Sequence, residues 1–349
     1  MAHKIDLSTG KPALVMFQQP AWHGLGKVFT TEISRTEAEN EGGLTFQVEK
    51  APNIHTIPGI DPIVSKDSFF TYRTDTNAIL GTRLGRDYTV YQNHEALDVI
   101  DELLKNGNLK IETAGAVDQG KRVFICLKMA NPIIVGGNDE VSQYVLLANS
   151  HDGSLAITAM PTNVRVVCWN TLSAALGAAK PQHKIRHTTN AADRVKEAFK
   201  IMGLLQENSK LNSAAYNAMR EHKISNTDFF DYIGNILMTP EEIVNLQKGA
   251  KDVLSTRKQN IVKEVLEYAE IGQGQAEALG NGNLNYWWAY NAVTGYLTSK
   301  KYNTADDRFN SLMFGDSAAK IKTAANLALK PDTIKPVRMV ASQQNFFLS

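Results

Sequence analysis

Two cysteines in 349 residues, Cys126 and Cys168, are too few for a disulfide framework. Both have apolar neighbours, where a thiol behaves as a small hydrophobe, and together they point to a reducing compartment. Long apolar runs are missing as well. Stretches such as 145–148 and 164–168 fall far short of the ~20 residues of a membrane-spanning helix. The first ten residues lack the basic start, apolar run and cleavage site of an export signal. A cytoplasmic protein without a membrane partner is therefore expected. An excess of charge of either sign is also absent: 37 Lys and Arg against 36 Asp and Glu leave +1. That excludes a generally basic nucleic-acid coat and a polyacidic tail, so any charged partner must be met locally.

The signatures of several enzyme classes are missing too. The chain has no Walker lysine loop, no dinucleotide glycine fingerprint after a strand and no His-Glu helix of a metalloprotease. No cofactor is expected. His151, Asp152, Cys168, His183 and His187 share no recurrent ligand spacing, so no metal is expected either. The acidic pairs Asp101-Glu102, Glu241-Glu242 and Asp306-Asp307 read as solvated surface.

What is present is an ordinary globular composition, 43% hydrophobic and 21% charged, in a chain long enough for two domains. Before residue 190, runs at 45–49, 69–73, 78–83, 110–114, 122–129, 144–149 and 155–167 are rich in β-branched and aromatic residues. Turn residues separate them, with 59–62 among the turns, which predicts a mostly antiparallel sheet. Helices are predicted at 94–105, with Asn93 as N-cap, and at 171–179. After residue 190 the period is helical, with helices predicted at 190–208, 209–221, 226–236, 240–249, 252–270 and 284–298. Residues 272–283 read as a Gly/Gln/Asn-rich loop. The fold class is α+β: a sheet-rich domain over 1–189 with packed helices, followed by a helical domain over 190–349.

Charge is unevenly placed along this neutral chain. Residues 153–192 contain no Asp or Glu but hold Arg165, Lys180, Lys184 and Arg186. Residues 317–349 hold Lys320, Lys322, Lys330, Lys335 and Arg338 against Asp332 alone. Such strips suit a groove for a phosphate chain, and an aromatic beside the strip could stack an unpaired base. The nucleic-acid contacts so indicated are Arg165, Lys184, Arg186 and His187, with Trp169 as stacking platform and Lys121 and Arg122 as secondary contacts. Solvated loops and a core Trp169 are the plainer alternative.

NSHDGS, residues 149–154, gathers hydroxyl, imidazole and carboxylate, yet Asp-Gly at its centre is foremost a turn signal. WHGLG, residues 22–26, reads as a tight turn beside a tucked aromatic. Tyr286, Trp287, Trp288, Tyr290 and Tyr296 open an aromatic helix whose first reading is core and whose second is an interface.

Several of these segments occur together in a set order: PAWHGLG (20–26), YRTDTNAILG (72–81), YTVYQNHEAL (88–97), NSHDGS (149–154), VRVVCWNTL (164–172), KIRHT (184–188) and YWWAYNAVTGY (286–296). In that order they resemble the phage- and plasmid-like proteins carrying domain of unknown function 932. A remoter similarity runs to the RecT/Redβ-like single-strand annealing proteins. That likeness implies a hairpin-rich sheet with a packed helix, a ring or filament of identical subunits, and single-stranded DNA in a basic groove without ATP. The function expected is a recombination protein of a phage or mobile element, without enzymatic turnover, that binds single-stranded DNA and anneals complementary strands as a homo-oligomer. The alternatives are a metal-assisted nucleic-acid hydrolase using His151 and Asp152 with His187, and a structural or host-interaction protein.

Overall fold

The computed structural model describes residues 4–21, 23–106, 108–162, 183–184, 191–250, 253–272, 274–279, 282–300 and 316–337. The fold is α+β, with its sheets towards the N-terminus and most of its helices after residue 190. Two compact units form, residues 1–132 with 142–209, and residues 133–141 with 210–349. The sequence reading draws its boundary at 190 and does not anticipate that the excursion 133–141 belongs with the later residues.

The first unit is organised by a seven-stranded sheet in the order β12-β11-β10-β7-β6-β1-β2. Its strands are β1 (Leu14–Phe17), β2 (Lys27–Phe29), β6 (Leu109–Val117), β7 (Arg122–Met129), β10 (Tyr144–Ser150), β11 (Thr158–Thr162) and β12 (His183–Lys184). All pairings are antiparallel except β1 with β2. The turn into β2 needs glycine: Gly26 has φ near +95°, and a Cβ there would stand 2.7 Å from the Leu14 carbonyl oxygen. Trp22 of the same motif lies outside the described residues.

One face of the sheet packs under α1 (Arg35–Glu41), α2 (Asn93–Asn106) and the first part of α3 (Ala191–Glu221). Alternate strand residues Val123, Ile125, Leu127, Val145 and Leu147 meet Leu97, Ile100, Leu103, Ile201 and Leu205 there. The other face, with Phe124, Cys126, Leu146, Ala148 and Met160, is also buried. Cys126 is a buried free thiol, and Cys168 lies outside the described residues. Asn93 is not an N-cap but the first helical residue, and its Oδ1, the atom a cap would use, is taken up by His151. The predicted break at 208–209 does not occur either; the chain runs through as one helix, with neither Pro nor Gly there to stop it.

A second, three-stranded sheet is made by β3 (Val48–Ile57), β4 (Ile60–Arg73) and β5 (Ile79–Leu84). β3 and β4 extend well beyond the predicted runs, and the turn is Pro58-Gly59 rather than 59–62. Gly59 has φ +78°, as the third position of a type II turn demands.

The second unit contains the hairpin β8 (Ile133–Val135) and β9 (Asp139–Val141) with α4 (Asn226–Leu237), α5 (Pro240–Gln247), α6 (Thr256–Ile271), α7 (Gln275–Leu279), α8 (Tyr286–Ser299) and α9 (Asp316–Leu329). Ser225 and Thr239 close capping boxes at the starts of α4 and α5. α7 lies within the stretch expected to be loop; Gln275 and Ala278 are buried and hold it in the core. α8 is apolar on nearly every side and forms the centre of this core, burying Trp287, Trp288, Val293 and Tyr296.

Candidate functional site

Three of the sequence motifs converge on one buried polar node in the first unit. His151, just past β10, is fully enclosed, and its Nε2 lies 2.9 Å from Asn93 Oδ1 at the start of α2. The Asn93 amide donates to the carbonyls of Leu44 (3.1 Å) and Phe46 (3.4 Å), so its Oδ1 can only accept. The imidazole therefore carries its proton on Nε2, and the buried Nδ1 is left without a protein partner among the described residues. Burial pushes the imidazole down to about 4; the carboxylate of Asp152 opposes this and Arg73 reinforces it. The ring is neutral at physiological pH.

The backbone around His151 is tied from both sides. Thr71 on β4 donates from Oγ1 to the His151 carbonyl (2.5 Å) and accepts from the Gly81 amide (3.0 Å). The His151 amide donates to the Lys121 carbonyl (2.8 Å), and Tyr88 donates to the Ser150 carbonyl (3.3 Å). Beneath the node Arg73, 1% exposed, is ion-paired with Asp6 and Asp75 and lies 4.0 Å from the Phe46 ring centroid. The same ring meets the His151 imidazole edge-on.

This arrangement does not make a nucleophilic relay. Ser150 donates to the Leu155 carbonyl (3.0 Å), and Asp152 Oδ1 accepts from the Ser154 amide (2.9 Å) as an Asx turn. Gly153 supplies the positive φ, +77°. The motif is the turn that its Asp-Gly pair indicates.

Of the sequence-predicted contacts, Lys121, Arg122 and Lys184 are described; Arg165, Trp169, Arg186 and His187 lie outside the described residues. Lys121 has Asp118 at 3.8 Å, and Lys4 is 3.9 Å from the same carboxylate, so local charge there is already opposed. Arg122 opens β7 and donates from Nη2 to the Ser154 hydroxyl (3.1 Å). Lys184 is exposed on β12. Register aligns them: Lys184 pairs with Thr158, Thr158 with Ala148, and Ala148 with Phe124, two residues along from Arg122. Arg122 and Lys184 therefore project to the same face of the sheet, and Lys128, which sequence reading passed over, shares it. His183 projects to the opposite face and meets Glu197 of α3 at 2.5 Å. Glu197 is desolvated, yet Lys200 and His183 hold its carboxyl below the usual range. An acid from beyond the acid-free stretch thus folds back onto it.

The family model described as Domain of unknown function (DUF932) matches residues 81–326. The chain belongs to that family. No curated protein and no solved structure matches it significantly. Within this DUF932 chain, Gly81, Tyr88, Asn93 and His151 of the node lie inside the matched region, whereas Asp6, Phe46 and Arg73 precede it. A cavity of about 450 Å³ lined by Lys11, Lys27, Asn40 and Glu41 also precedes it, and its Lys27 is spent on Glu41 at 2.9 Å. Among the described residues no three His, Cys, Asp or Glu side chains gather as metal ligands would. Nor is any helix among them long and apolar enough to cross a membrane.

Proposed function

We propose that this DUF932 protein binds single-stranded nucleic acid and anneals complementary strands as an ATP-independent homo-oligomer. The supporting observation is that Arg122 and the exposed Lys184 stand near one end of the same sheet face, at the margin of the apolar cluster of Phe124, Cys126, Leu146, Ala148 and Met160 that fills its middle. Three strand spacings separate their strands, about 14 Å, which matches the reach of several successive phosphates. Lys128, at the far end of β7, is separated from Arg122 by the buried Phe124 and Cys126 and stands apart from this pair. In sequence, Arg186 and His187 lie two and three residues after Lys184, and Arg165 lies three residues after the end of β11.

The hydrolase alternative gains no support from the node, because its imidazole is enclosed and its hydroxyl already bonded. Anisotropy of a labelled single-stranded oligonucleotide, titrated at several salt concentrations, tests the reading. Affinity should fall linearly with salt on logarithmic axes, and Arg122→Ala with Lys184→Ala should weaken binding and flatten the slope. Absence of binding at low salt, or indifference to both substitutions, overturns it.

A further inference from the structure

We infer that the outer half of the β3–β4 hairpin is a self-association arm that packs against the same arm of a second copy of this chain. Five of the large apolar side chains left exposed among the described residues fall within 54–64: Ile54, Ile57, Ile60, Ile63 and Val64, each between 46% and 61% exposed. Register distributes them over both faces of the ribbon. Ile54 stands opposite Val64, Ile63 opposite His55, and Ile57 and Ile60 close the tip. β5 pairs with β4 only from Phe69 to Tyr72, so beyond that point the hairpin has no third strand among the described residues.

The base of the arm is fastened to the first unit. Lys50 Nζ donates to the carbonyls of Arg86 (2.6 Å) and Tyr88 (2.7 Å), and Asn53 donates to the Thr82 carbonyl of β5 at 3.1 Å. Among the described residues the tip has no such anchors. A two-stranded ribbon is marginal in water on its own, and one with isoleucines on both faces exposes apolar surface that a working assembly would cover.

Charge favours a second copy as the occupant. The five side chains leave on the order of 400–500 Å² of apolar surface in water. Because they stand on both faces, one face-to-face contact between two arms covers about half of that in each copy, on the order of 400–500 Å² of apolar surface in all, the size of a weak rather than an obligate contact. Asp61 near the tip and Lys66 further down are opposite in sign, so two arms packed antiparallel about a two-fold axis set Asp61 against Lys66 twice. A lipid surface fits less well: residues 54–64 contain neither Lys, Arg nor an aromatic, the residues an interfacial segment uses. Pro52 and Pro62 interrupt the ladder donors, so the arms meet through side-chain faces rather than by extending the sheet.

The inference rests on the homo-oligomer in the proposed reading and not on nucleic-acid binding, so loss of DNA affinity alone leaves it standing. The experiment is sedimentation velocity of the full chain over a wide concentration range. The parent is compared with a variant carrying Ile54→Thr, Ile57→Thr, Ile60→Thr and Ile63→Thr, which stays β-branched, and with Phe199→Thr, an exposed residue off the arm. The parent and Phe199→Thr should assemble, and the arm variant should sediment as the 38.5 kDa monomer with unchanged circular dichroism. A parent that is monomeric throughout, an arm variant that assembles undiminished, or a monomer that co-sediments with phosphatidylcholine vesicles overturns it. Should the arm variant fail to fold, Thr56→Cys under mild oxidation decides the matter: a covalent dimer absent from the parent supports the contact, and its absence overturns it.

Discussion

Arg73 and His151 touch the same aromatic ring: the guanidinium lies 4.0 Å from the Phe46 centroid, and the imidazole meets that ring edge-on at 5.7 Å. A permanent cation and a titratable group thus share one enclosed space. The cation is satisfied by Asp6 and Asp75, while among the described residues the imidazole ring has Asn93 alone as a hydrogen-bond partner. A proton added to His151 would meet burial first and Arg73 second, and this asymmetry determines how the fold responds to acid.

Stability should fall as the pH drops from 6.5 towards 4. In the unfolded chain the imidazole takes up a proton near 6.5, whereas in the folded chain it stays neutral to about 4. Acid therefore favours the unfolded state, by about 2 kcal/mol at pH 5. Urea midpoints at pH 7 and pH 5 measure the loss, and His151→Gln should remove most of the difference. An unchanged difference in that variant would place the acid sensitivity elsewhere.

Removing one member of the buried ion pair should cost far more than removing a surface charge. Arg73 and Asp6 are 2% and 3% exposed at their side chains, so Asp6→Asn strands a guanidinium that retains only Asp75 as an acid partner. A loss of about 3–5 kcal/mol is expected, whereas Lys196→Ala, from an exposed pair on α3, should stay within about 0.5 kcal/mol. Chemical denaturation of the two variants makes the comparison.

Gly81 has an ordinary backbone but no room for a side chain. A Cβ there would stand 2.8 Å from the Asp152 Cα, whereas at Gly85 it would meet nothing within 4 Å. Gly81→Ala should therefore destabilise by about 1–3 kcal/mol and Gly85→Ala should be close to neutral, as thermal melts of the pair would read.

On the proposed nucleic-acid face, cations should differ in effect according to what already opposes them. Lys184→Ala should lower the salt slope of binding by about one counterion, while Lys121→Ala, beside Asp118, should move it little. Equal effects would argue against the face defined by register.

Elements whose periodicity was uninterrupted were legible in the sequence. α2, α4, α8 and strands β6, β7 and β10 fall within a few residues of their predicted bounds, because alternating Val, Ile and Phe or three-to-four spacing dominated each window. The long β3–β4 hairpin was not legible. Pro52, Pro58, Gly59 and Pro62 punctuate it as a loop would be punctuated, and prolines on a ribbon with unpaired edges violate no ladder bond. The node was only half legible: NSHDGS was correctly a turn, but no local signal could reveal that Asn93 would forgo its capping role to hold an imidazole 58 residues away. The convergence of lysine and arginine on one sheet face required the register of four strands, which no single segment encodes.

The hairpin of β8 and β9 has a consequence for how this polypeptide can be divided. Ile133 and Val135 sit in the core of the later helices, Asp139 Oδ2 accepts from the Trp287 indole at 2.6 Å, and the Gly136 amide donates to Asn217. A fragment starting after residue 209 would lack those nine residues and leave an indole N–H without its acceptor. One ending at 209 would carry them as an orphaned loop. No single scissor cut yields two finished pieces, so limited proteolysis that excises one stable half should have to sever the chain on both sides of the hairpin as well.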